Sequence, residues 1–95
     1  MKVIVKFLAT IRQITGEPLI EFELRPGNNT VWETMRNLEF RYGPEFKEAT
    51  AGSYPGGIPK IRILVNGRDI DFLDGTGTEL KEGDVLVLVP PVAGG

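Results

Sequence analysis

The chemistry open to this chain is narrow, because its 95 residues include neither cysteine nor histidine. Without a thiol there is no disulfide framework, no thiolate nucleophile and no thiolate metal ligand. Without an imidazole there is no nucleophile–base triad of the usual kind and no imidazole general base near neutral pH. What remains is the run Pro90-Pro91-Val92-Ala93-Gly94-Gly95. Pro90 and Pro91 favour an extended backbone, which directs the run away from the strand before it and lowers its ordering cost on docking. Extended, the run reaches about 20 Å at roughly 3.3–3.6 Å per residue.

The remaining totals set the frame for that run. A chain of 95 residues makes one domain, here 1–95, with one compact core and little room for a deep enclosed cleft. The formal net charge of −2 gives no basic surplus of the kind a nucleic-acid binder clusters on one face. Lys6 interrupts the apolar start Val3-Ile4-Val5 before a signal-peptide core forms. No stretch approaches the roughly 18–20 apolar residues of a membrane span. The expectation is a cytoplasmic protein that binds neither nucleic acid nor membrane.

The elements that must position the tail follow from periodicity. Lys2 to Leu8 alternates with period two and is β-branched, hence a strand. Ala9 to Thr15 is too short for a proper helix and closes at Gly16, so a turn is expected. Leu19 to Leu24 alternates again, with Ile20, Phe22 and Leu24 on one face. Thr30 with Glu33 forms a capping box, and Val31, Met35, Leu38 and Tyr42 then fall on one helical face. Gly43-Pro44 ends that helix; Pro44 to Ala49 allows one more short helical turn, and Thr50 to Pro59 reads as an exposed loop. Lys60 to Val65 is a strand, and Asn66-Gly67 a tight hairpin turn. A short strand is expected around Asp69 to Phe72. Leu80 to Asp84 turns the chain into Val85 to Val89, apolar throughout as suits a central strand covered on both faces.

One principal helix can cover only one face of such a sheet, and its position suits a crossover that sets the first and last strands side by side in parallel. This is the order of an α+β, ubiquitin-like β-grasp fold: a mixed sheet of about five strands with one main helix on one face. Leu80-Lys81-Glu82-Gly83-Asp84, the apolar strand and the Pro-Pro-Val-Ala-Gly-Gly end resemble the small subunit of molybdopterin synthase and its archaeal relatives. Phe7-Leu8-Ala9-Thr10-Ile11-Arg12, closing at Gly16, is similar to the opening hairpin of that family. The loop 50–59 and the segment 75–78 match its longer archaeal variants.

The resemblance implies a sulfur carrier that is not catalytic alone and binds no cofactor itself. An ATP-using adenylyltransferase converts the Gly95 carboxylate to an acyl-adenylate, and sulfur then gives a thiocarboxylate. A mixed anhydride supplies the leaving group that a bare carboxylate lacks. The larger subunit of molybdopterin synthase would receive the tail, and the sulfur would enter a molybdopterin or tungstopterin precursor. Other readings are a ubiquitin-like modifier joined to protein lysines through Gly95, a sulfur donor for tRNA thiolation or thiamine, or an interaction-only domain.

A docking surface is expected on the face the helix leaves open. If Val3, Val5, Phe7, Ile61, Ile63 and Val65 face the helix, then Ile4, Leu8 and Leu64 face away, with Lys6 and Arg62 at the rim. Val89 joins them by resemblance at the strand end, and Arg12 matches the hairpin arginine of the family. Trp32, at the edge of the helix stripe, reads as packing. Gly94→Val should block sulfur transfer and leave the melting temperature unchanged, because a branched Cβ fills space where a receiving channel encloses the backbone. Equal rates of thiocarboxylation and transfer in the variant and the parent would exclude an enclosed tail.

Overall fold

Alternation in the strands sorts the side chains of this chain into an inner and an outer set, and the computed structural model, which describes residues 1–91, shows both. The strands are β1 (Lys2–Phe7), β2 (Leu19–Glu23), β3 (Arg62–Val65), β4 (Arg68–Asp69) and β5 (Val85–Val89). The helices are α1 (Ala9–Thr15), α2 (Val31–Tyr42) and α3 (Pro44–Thr50). The sheet order is β2-β1-β5-β3-β4, with β1 and β5 parallel and the other neighbours antiparallel. This is the mixed five-stranded sheet of the β-grasp fold.

Register decides which residues share the core. Val5 lies opposite both Ile20 and Leu86, and Leu88 lies opposite both Phe7 and Ile63. These side chains meet Val31, Met35 and Leu38 of α2 in one buried cluster. α2 begins where the sequence places it: the Glu33 amide donates to Thr30 Oγ1 at 3.2 Å, which satisfies one orphan donor of the first turn. It ends at Gly43, where φ is 87°.

Local structure departs from the sequence reading in five places. Ala9–Thr15 is an α-helix rather than a turn: Leu8 stays extended before it, and Gly16, in the left-handed region, donates to the Arg12 carbonyl at 2.8 Å to close it. Seven residues are marginal alone, so burial of Ile11 supplies what length does not. Pro44–Thr50 is likewise a full helix, with Pro44 in its first turn and Phe46 buried. Strand β3 starts at Arg62, although Ile61 before it is buried. Only Arg68–Asp69 of the fourth strand pairs, because the Asp69 side chain accepts from the Asp71 amide at 2.9 Å and turns the chain into a 3-10 helix over Ile70–Phe72. Trp32 stays half-exposed and packs against its own helix, with the Arg36 guanidinium 5.2 Å from the ring centre.

Helices α2 and α3 join the sheet through aromatic contacts. Phe7 of β1 meets Tyr42 of α2 and Phe46 of α3 edge-on, with ring centres 5.7 and 6.3 Å apart. Tyr42 also donates to Glu17 Oε2 at 3.0 Å, and its own burial, with that bond, raises its phenol pKa. Phe46→Ala should cost about 3–5 kcal/mol in urea unfolding, as expected for a buried phenylalanine. Phe40→Ala, at a side chain 91% exposed, should stay within about 0.5 kcal/mol of the parent. Similar losses in both variants would contradict this packing.

Candidate functional site

The site is the end of β5 and the sheet face around it. β5 is hydrogen-bonded on both edges, to β1 in parallel and to β3 antiparallel. Leu86 and Leu88 point into the core and are fully buried, while Val85, Val87 and Val89 are half-buried on the outer face. The outer face of β5 is therefore made of its valines, with Val89 where the resemblance put it. Pro90 and Pro91 carry the chain out of the strand, half-buried and then exposed. Proline supplies no amide hydrogen to extend the ladder, so pairing stops at Val89. Val92, Ala93, Gly94 and Gly95 lie outside the described residues.

Two of the expected docking residues come together on the outer face. Leu64 lies opposite Val87, and Arg62 opposite Val89, so Leu64 and Val89 are diagonal neighbours. Ile4 lies opposite Val85 across the parallel pair and extends the same apolar strip. Leu8 follows β1 as the residue before α1 and is exposed. Arg12 is exposed one turn further on, its amide donating to the Leu8 carbonyl at 3.4 Å. Leu8 and Arg12 thus flank the start of α1, where β1 ends.

The charged rim is partly self-neutralised. Arg62 Nη1 lies 2.9 Å from Asp69 and 3.9 Å from Asp71, while Lys6 is exposed. The Asp71 amide, and then the Arg62 guanidinium, hold the Asp69 carboxyl below its ordinary value of 3.8. Sequence reasoning missed Phe72, which is 86% exposed and lines a hollow with Leu64, Gly67, Arg68 and Asp69. The only signal was its place in a segment too polar to be a buried strand. Among the described residues no group of three metal-ligating side chains forms, and no helix is long and apolar enough to cross a membrane.

Residues 5–95 match the ThiS family, a span that includes both the outer face and the Gly-Gly end. The chain belongs to this family. Small archaeal modifier protein 3 of Haloferax volcanii is 35% identical, with the whole of both chains aligned. A Pyrococcus furiosus structure assigned to molybdopterin converting factor, subunit 1, superposes with a TM-score of 0.79 at 34% identity, covering 97% of this chain and 99% of the other. In the BexX/CysO complex of Amycolatopsis orientalis the matching chain has a TM-score of 0.75 at 31% identity, covering 98% and 99%. Relatives of this chain thus include sulfur carriers and protein modifiers, and the described residues share the fold of these structures.

The two faces of β3 give a direct test of the site. Leu64→Lys should change stability by no more than about 1 kcal/mol, because the new ammonium meets water and the Asp69 carboxylate. Ile63→Lys, one residue away and buried, should cost about 3 kcal/mol or more by placing an unpaired charge in the core. Thermal unfolding of both variants reads the difference. A larger loss at Leu64 would reverse the assignment of the faces.

Proposed function

We propose that this chain is a sulfur carrier whose Gly95 carboxylate is adenylated by a partner adenylyltransferase and converted to a thiocarboxylate. The observation that carries the reading is the ThiS match running through Gly95, on a chain whose fifth strand is the paired centre of the sheet. A carboxylate oxygen attacks the α-phosphorus of ATP and pyrophosphate leaves. Sulfide-level sulfur then displaces AMP, leaving a thiocarboxylate. ATP belongs to the activating partner, and this chain holds no cofactor. The protein supplies a rigid root, a thin tail and a docking face made of Leu64 and Val89, with Leu8 and Arg12 beside it. The acceptor in this reading is a molybdopterin or tungstopterin precursor in the large subunit of a molybdopterin synthase. Likeness to the Pyrococcus furiosus converting-factor subunit supports that choice.

A second reading is a ubiquitin-like modifier joined to target lysines through Gly95. Identity of 35% to small archaeal modifier protein 3, over the whole of both chains, favours it. Both readings begin with the same adenylate and part at the nucleophile that displaces AMP.

Mass spectrometry after incubation with the adenylyltransferase, ATP and a sulfur source separates them. A carrier gains about 16 Da as sulfur replaces oxygen at the C-terminus. A modifier instead appears on lysine residues of other proteins through an isopeptide bond. Deletion of Gly95 should abolish both products and leave the unfolding midpoint at the parental value. A truncated chain that still acquires the mass would refute both readings.

A further inference from the structure

The chain between α3 and β3 is more ordered than its composition suggests. Ser53 and Pro59 form an isolated antiparallel bridge. The Tyr54 amide donates to the Ile58 carbonyl at 2.8 Å, and the Gly57 amide donates to the Tyr54 carbonyl at 3.1 Å. Gly56 and Gly57 take φ of 97° and 82°, where a Cβ would be strained. The Lys60 amide closes the base by donating to the Gly52 carbonyl at 3.2 Å. This segment is a tight hairpin that holds up Ile58, an aliphatic side chain 57% exposed.

The hairpin stands against the root of the tail. Ile58 and Pro59 on one side, and Val89, Pro90 and Pro91 on the other, line a groove of about 250 Å³ with Arg62. The Arg62 guanidinium is held at 2.9 Å by Asp69, so the aliphatic stem of Arg62 completes an apolar wall.

We propose that this groove receives an apolar side chain from the mouth of the adenylyltransferase channel that takes the tail, and that Ile58 sets specificity for that enzyme. The proposal rests on the reading of Gly95 as the reacting residue. The occupant follows from reach. From Pro91 to Gly95 is four residues (95 − 91), which span at most about 14 Å when extended. Any protein that encloses the Gly95 carboxylate therefore brings its channel mouth within that distance of the groove. Through Val89 and Arg62 the groove is also continuous with the strip around Leu64, so one partner surface covers both. A partner without an apolar side chain at that point leaves Ile58 and Pro59 facing its polar rim. The hairpin thereby favours one channel mouth over another.

The test uses the full chain and its adenylyltransferase. The Kd is measured by titration without ATP, and KM and kcat come from the mass gain of about 16 Da. Ile58→Ser should raise Kd and KM about tenfold, with kcat and the melting temperature at parental values, and Ile58→Leu should restore both constants. Parental Kd and KM in Ile58→Ser overturn the groove, while the mass gain of the parent leaves the sulfur-carrier reading standing. A parent that never gains the mass overturns that reading and removes the occupant with it. Weaker transfer to the acceptor subunit at an unchanged adenylyltransferase Kd places the contact on the acceptor, and overturns the proposal as well.

Discussion

The parallel pairing of β1 with β5 is the constraint on which the rest of this structure depends. It joins the first strand of the sequence to the last, so the chain between them must cross from one half of the sheet to the other, and α2, between β2 and β3, lies on that connection. Parallel neighbours need such a connection, and the right-handed crossover packs the helix on one face. Because β5 also pairs with β3, neither edge is left free. Strand β5 therefore cannot fray before the sheet does, although the chain leaves it within two residues of Val89. A tail rooted there starts from a fixed point and direction.

The same topology explains why the two sheet faces differ. Covering one face with α2, and with Ile11 of α1 and Phe46 of α3, consumes the apolar residues of a small chain. The other face is left with Ile4, Leu64 and the valines of β5, half-buried by one another rather than by a layer above. Polar edges frame this strip: Lys2 with Glu21 on one side, Arg62 with Asp69 on the other. Exposed ion pairs of this kind add little to stability. Their effect here is to keep the sheet edges soluble around an apolar centre.

Strong periodicity made most of the fold legible. Unbroken apolar Val85 to Val89 marked a central strand, and Thr30 with Glu33 marked the start of α2 where the Thr30 side chain caps it. Alternation likewise placed Val3, Val5 and Ile63 inside and Leu64 outside. What the sequence concealed depends on tertiary support. Helix α1 is too short to show a helical stripe, and it exists because Ile11 finds a core to enter. The fourth strand ends early because one side chain, Asp69, captures a backbone amide, a contact no pattern announces. Ile58 was lost in a stretch of Gly and Pro, since a composition that signals a loop does not say that the loop is a closed hairpin.

Absence of thiol and imidazole acquires a chemical sense once the C-terminus is taken as the reacting group. An acyl-adenylate is an electrophile that any nearby thiolate would capture as a thioester, with AMP leaving, and an imidazole would hasten its hydrolysis. This chain has neither residue, and its remaining nucleophiles are hydroxyls and amines. A hydroxyl is a weak nucleophile without an adjacent base, and an ammonium must lose its proton before it can attack. Lys60 has its ammonium engaged with the Glu48 carbonyl at 2.9 Å. In the proposed reading, a carrier made this way does not attack its own activated end, and the choice of nucleophile, sulfur or a lysine of another protein, belongs to the partner that holds the tail.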